Sequence, residues 1–325
     1  MRVVVVGAGG LGSYVGALLS RAGHEVVLVA RGEHAEAIRR DGLRVDSFEG
    51  DFVARPEVIR SARELDRADL TLVAVKAYSL DEVAPQLTHL ARAGSVIVSV
   101  LNGVDVSERL AELGVPRDRL VDGIAYMTAF RVGAGRVERR AAHQRLVVGS
   151  YAEAGGDAVG EPIEQVGADA VVPRDPIERV IQAFVGTGVE VVAAEDIRVE
   201  LWRKMAVVCS LSVICALSGR SMGPIRAHRF GAELQRRAIA EVIDVGRANG
   251  VDLPEGTERE IGKLLDAFPD DFHPSVIHDL KGGRRTEMEE LGGVIVRLGG
   301  ARDVPVPLHG AATLAVQVQE GVAVG

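Results

Sequence analysis

Lys204 stands where the polar start of an expected helix, from Asp196 to Arg203, meets an apolar run from Met205 to Leu217. A lysine partly buried at such a border has its charged form disfavoured. It then gives up its proton more readily, as a general acid to a forming alkoxide requires. Val208 and Ser212 follow at i+4 and i+8 and share its helix face. Glu200 precedes Lys204 by four residues, the favourable order for a surface ion pair, so spacing alone leaves proton donor and ion pair equally open. A second polar stretch runs from Ser275 through His278, Asp279 and Lys281 to Thr286, Glu287 and Glu289. Thr286 and Glu289 have the spacing of a capping box, which puts Glu287 in the first helical turn, where its charge complements the dipole without any chemistry.

The third chemical signal opens the chain. Arg2 to Val6 ends in four consecutive valines and runs straight into Gly7-Ala8-Gly9-Gly10-Leu11-Gly12. So apolar and β-branched a strand belongs at the centre of a parallel sheet covered on both faces. Gly7, Gly9 and Gly12 fit G-x-G-x-x-G: a tight turn, close backbone approach of a pyrophosphate, and close helix-to-strand packing. The helix beginning at Gly10 and Leu11 offers free N–H groups and a positive dipole end to phosphates. Arg31 ends the next strand, His24 to Ala30, where an acidic residue would select NAD and an arginine favours the 2′-phosphate of NADP. Lys76 and Asn102 follow the strands 70–75 and 95–100 and therefore fall on the cofactor side, at the carboxyl ends of the sheet.

These residues need an α/β body to hold them, and the pattern supplies one. A short helix is expected over 33–40, a hairpin over 43–53, a helix over 80–92, and antiparallel strands over 129–138 that complete the sheet. Residues 150 to 170 read as an exposed loop, followed by a helix at 176–187 and a strand at 189–192. Beyond Glu195 only helical patterns remain, at 196–217, 228–249, 255–268, 286–298 and 310–319. The expected domains are therefore a Rossmann domain over 1–194, with a doubly wound, mostly parallel sheet, and an all-helical domain over 195–325. The balance of 38 basic to 46 acidic residues gives a net charge of −8, which argues against nucleic acid or an anionic membrane as the main partner. The start of the chain has no signal-peptide pattern, and the apolar run 205–217 is too short to span a bilayer. Cys209 and Cys215, about 9 Å apart along one helix, read as reduced core thiols of a cytoplasmic protein. No His/Cys/Asp cluster has metal-ligand spacing.

Taken together, Gly7 to Gly12, Lys76, Leu101-Asn102-Gly103, Leu201-Trp202-Arg203-Lys204, and Pro274-Ser275 with Arg285-Thr286-Glu287 resemble the ketopantoate reductase (2-dehydropantoate 2-reductase) family. The match extends from residue 1 to about 310, with the motifs in the family's order. The resemblance implies a helical domain similar to that of 6-phosphogluconate dehydrogenase, NADPH and a 2-oxo acid bound between the domains, and pairing of two copies through the helical domain. It assigns Lys204 as catalytic acid, Glu287 as the essential substrate-site carboxylate, Ser275 as a substrate-binding hydroxyl, Asn102 as the asparagine near nicotinamide and substrate, and Lys76 as the cofactor-side lysine. The sequence also departs from the family. The substrate-holding positions four and eight residues after the lysine are Val208 and Ser212 rather than asparagines, and a further family asparagine is Gly292. Lost amides of this kind change substrate preference, and Val208 with Gly292 is expected to make the pocket less polar and roomier.

Overall fold

The computed structural model describes residues 1–140, 144–150 and 173–321; of the loop expected over 150–170, residues 151–170 lie outside the described residues. The chain forms two compact units, Met1–Leu101 with Asp105–Ile197, and Asn102–Val104 with Arg198–Gly325.

In the first unit, β1 (Arg2–Val6) leads into α1 (Gly10–Arg21), β2 (Glu25–Val29), α2 (Gly32–Asp41), β3 (Leu43–Asp46), β4 (Phe52–Ala54) and β5 (Glu57–Ile59). Next come β6 (Leu70–Val73), α3 (Leu80–Arg92), β7 (Val96–Ser99), α4 (Val106–Glu112) and β8 (Leu120–Tyr126). The unit closes with β9 (Ala129–Gly133), β10 (Arg136–Arg139), β11 (Arg145–Gly149), α5 (Pro176–Ala183) and β12 (Glu190–Ala193). An eight-stranded sheet runs β12-β11-β8-β7-β6-β1-β2-β5, parallel except where β11 meets β8. The four valines of β1 are fully buried in its interior, between β6 and β2, as their character requires. Because β1, β6 and β7 are parallel neighbours, Gly7, Lys76 and Asn102 all follow carboxyl ends on one edge of the sheet.

The hairpin at 129–138 forms but does not complete this sheet. β9 and β10 instead join the β3–β4 hairpin in a separate four-stranded sheet ordered β4-β3-β10-β9. The main sheet is completed by β8, β11 and β12. Alternation predicts strands but not which edge they join, and here Val45 and Val137 pair and pack into the same core that α1 shares with the main sheet.

The second unit is helical: α6 (Ile197–Ser218), α7 (Met222–Ala227), α8 (Gly231–Ala248), α9 (Thr257–Asp266), α10 (Ser275–Lys281), α11 (Val294–Gly300) and α12 (Pro307–Glu320). A π-helical turn at Glu289–Gly293 precedes α11. α7 and α10, six and seven residues long, are too short to show a helical period in sequence. The apolar run 205–217 was too narrow a measure of its helix. α6 has 22 residues and is long and apolar enough to cross a bilayer, yet 61% of its most apolar stretch is buried inside the protein. Cys209 and Cys215 are free, buried thiols on this helix. Burial raises the pKa of both, that of Cys215 to about 11.

Candidate active site

α6 is anchored by Trp202, which is 2% exposed and packs against Gly246 of α8 so closely that a Cβ there would lie 2.9 Å from its ring. With Trp202, Met205 and Ala206 turned inward, Lys204 falls at the margin of the packed interface and keeps limited solvent access. Burial lowers its pKa from 10.5 to about 8, and the nearby Glu287 carboxylate partly opposes that shift. The charge that acts on Lys204 is therefore Glu287, 83 positions along the chain, rather than Glu200 one turn away.

Glu287 is 6% exposed and stands two residues before the turn that leads into α11. The expected capping box does not form. The Thr286 hydroxyl accepts the Met288 N–H at 3.1 Å, but the Thr286 N–H donates to Glu320 at 2.5 Å, and Glu289 accepts from Gln317 at 2.6 Å. Residues near the end of α12 thus take the partners that a local box would have used. The other end of α12 is fixed as firmly. Glu241 of α8 accepts the Leu308 and His309 N–H groups at 2.9 and 3.0 Å and pairs with His309 Nδ1 at 2.6 Å, both His309 contacts being buried. Glu241, His309 and Glu320 hold the element that positions Glu287. Sequence reasoning missed them because no spacing links them. The intervening π-turn widens the backbone, a feature that recurs at functional sites.

Gly292 does not open a roomier pocket. A Cβ built on it would stand 2.5 Å from Thr313 Oγ1 and 3.1 Å from Met288 Cε, so those side chains already fill the space. Val208 is half-buried, and its carbonyl accepts the Ser212 hydroxyl at 2.8 Å. Ser212 is fully buried, and its hydroxyl donates to that carbonyl within α6. Ser275 is exposed at the first position of α10, with no hydrogen bond to Lys204 or Glu287. Asn102 is half-buried and groups with the helical unit. Among the described residues no cluster of three metal-ligating side chains occurs.

At the carboxyl edge of the first unit, Gly7 has φ +107°, a conformation open to glycine, and a Cβ there would lie 2.7 Å from the Ala74 backbone. Gly12 packs so tightly that a Cβ would meet Gly7 O at 2.0 Å, the close helix-to-strand contact its position requires. Gly9 differs, with nothing within 4 Å of a built Cβ, which leaves the backbone open to a phosphate group. Gly10 is closed from the other side by β9, whose Ala129 carbonyl would lie 2.2 Å from a Cβ. Leu11 lies in the first turn of α1 and is half-buried. Arg31 immediately precedes α2, exposed, and pairs with Glu82 of α3 at 2.8 Å. Lys76, half-buried, caps the short turn after β6. The open Gly9 backbone at the start of α1 fits a dinucleotide pyrophosphate.

Comparison with known proteins gives the same assignment. The family model Ketopantoate reductase PanE/ApbA matches residues 3–153, and its C-terminal counterpart matches residues 196–320. The chain belongs to the ketopantoate reductase family. It is 31% identical over 310 residues to a 2-dehydropantoate 2-reductase of Halobacterium salinarum, covering 95% of each chain. It is 28% identical over 296 residues to the uncharacterized oxidoreductase YkpB of Bacillus subtilis, covering 91% of each. The crystal structure of a PanE/ApbA family ketopantoate reductase from Ralstonia eutropha JMP134 superposes with a TM-score of 0.84 at 27% identity, covering 99% of each chain. As a member of this family the protein is a 2-dehydropantoate 2-reductase-like oxidoreductase that uses a nicotinamide cofactor and acts on a small keto acid.

Proposed function

We propose that this ketopantoate reductase family member reduces a 2-oxo acid with NADPH, with 2-dehydropantoate to pantoate as the leading reaction and Lys204 as the acid. The observation that carries this reading is Lys204 within the field of the buried Glu287 carboxylate, with its pKa lowered by burial to about 8. When bound, the nicotinamide supplies hydride to the C2 carbonyl. Lys204 Nζ donates a proton to the carbonyl oxygen as negative charge develops on it, and takes up a replacement from solvent. At pH 7 a lysine of pKa 8 is still mostly charged yet is a far stronger acid than one at 10.5, the compromise general-acid catalysis favours. Glu287 keeps Lys204 protonated and orients the substrate. Asn102 and Ser275 supply polar contacts to the carbonyl and carboxylate. Gly7, Gly9, Gly10, Leu11 and Gly12 hold the pyrophosphate, Lys76 faces the cofactor, and Arg31 selects the 2′-phosphate.

A second reading keeps the cofactor and reaction but changes the 2-oxo acid. Val208 favours it, since it places an apolar side chain one turn beyond Lys204. The two are separated by NADPH oxidation with purified protein across a panel of 2-oxo acids bearing hydroxylated, aliphatic and aromatic side chains. Preference for 2-dehydropantoate by kcat/KM supports the first. Turnover only of acids lacking a side-chain hydroxyl supports the second, and no turnover of any carbonyl compound removes both.

A further inference from the structure

The small sheet β4-β3-β10-β9 serves no purpose in the reading above, yet it is fastened to the end of α1 that faces the dinucleotide. Three contacts make the attachment. The Ala129 carbonyl and Phe130 Cα of β9 close over Gly10. His34 of α2 is 5% exposed and accepts the Gly135 N–H on Nδ1 at 3.0 Å. With Nδ1 accepting, the neutral ring carries its proton on Nε2, which meets the Ser13 hydroxyl in the first turns of α1 at 3.1 Å. His34 thereby ties α1, α2 and the β9–β10 turn together.

The register of the sheet shows what faces α1. Val137 and Arg139, two apart on β10, are buried on one face, with Arg139 near Tyr14 of α1. Their partners across the hairpin are Arg131 and Ala129, so Arg131 projects from that same face. Phe130 lies on the opposite face and stacks with Arg140. Arg131 is exposed, has no carboxylate partner among the described residues, and lies close enough to His34 for its charge to help hold that ring neutral.

We propose that Arg131 is a phosphate ligand, the cation with which the small sheet engages the dinucleotide's pyrophosphate beside α1, and that His34 is the positioning residue that fixes the sheet there. The proposal rests on the dinucleotide reading of this end of α1. An arginine offers a planar fork of donors matched to phosphate oxygens, and the start of α1 supplies backbone donors on the other side.

The test measures NADPH and NADH dissociation constants from nicotinamide fluorescence with the full chain. The proteins compared are wild type, Arg131→Gln, Arg131→Lys and, on the opposite face of the same hairpin, Arg140→Gln. Arg131→Gln is expected to weaken both dinucleotides by about tenfold, Arg131→Lys to weaken them less, and Arg140→Gln to leave both unchanged. Weakening of NADPH alone would move Arg131 to the 2′-phosphate and overturn the pyrophosphate assignment. Unchanged binding of both by Arg131→Gln, while wild type binds, overturns the proposal and leaves the dinucleotide reading intact. Wild type that binds neither dinucleotide removes both.

Discussion

The most exposed consequence of the Lys204 geometry is the alkaline limb of the rate profile. Burial lowers the Lys204 pKa from 10.5 to about 8, a cost to the charged form of about 3 kcal/mol, and Glu287 keeps it from falling further. If the protonated lysine is the acid, kcat for NADPH-dependent reduction should fall about tenfold between pH 7 and pH 9, as the charged fraction drops from about 0.91 to about 0.09. A lysine at its ordinary pKa would lose only about 3% over that range. Removing the carboxylate charge with Glu287→Gln takes away the one influence that raises the pKa, so the limb should move below pH 8. The sign for stability is the reverse of the usual lysine case. With the folded pKa below the unfolded one, the cost weighs on the fold below pH 8 and disappears as pH rises toward 10.5. The assay is steady-state kcat at saturating substrate and cofactor from pH 6 to 10 for wild type, Glu287→Gln and Lys204→Arg. A wild-type profile flat through pH 9.5, or a Glu287→Gln limb shifted upward, would refute the reasoning.

Lys204→Ala should lower kcat by at least about 100-fold while NADPH affinity stays within about twofold of wild type; a comparable loss of NADPH binding, measured by fluorescence titration, would show that the lysine acts on the cofactor instead. Arg31→Gln should weaken NADPH but not NADH, whereas Glu82→Gln, which frees Arg31 from an exposed ion pair, should tighten NADPH by less than about fivefold; equal effects on both cofactors would dissociate Arg31 from the 2′-phosphate. Asp122 on β8 is buried, and burial pushes its pKa up to about 7 although the Ser107 hydroxyl donates to it at 2.7 Å. Its folded pKa lies above the unfolded 3.8, so stability is lost as pH rises through that window, and Asp122→Asn should outstabilise wild type by up to about 4 kcal/mol above pH 7 in urea unfolding. A difference that does not change with pH would contradict this.

Local features of the sequence determined a great deal. Four valines followed by Gly7, Gly9 and Gly12 suffice to place β1, α1 and the glycine turn between them, because β-branched burial and glycine geometry act over a few residues. The length and apolar body of α6 likewise mark a core helix with Lys204 at its border. Which charge meets that lysine was not legible, because Glu200 and Glu287 are equally good partners until α6, the π-turn and α12 pack. Tertiary structure chose Glu287 through the Glu241–His309 and Thr286–Glu320 contacts, whose partners lie 68 and 34 residues apart. The same holds for the hairpin at 129–138. Its strands follow from alternation, but its joining β3 and closing over Gly10 depend on shape complementarity across about 100 residues, which no local pattern encodes. The capping box and the open space at Gly292 failed as expectations for that reason. Each was sound locally, and each was overruled by a side chain from α12.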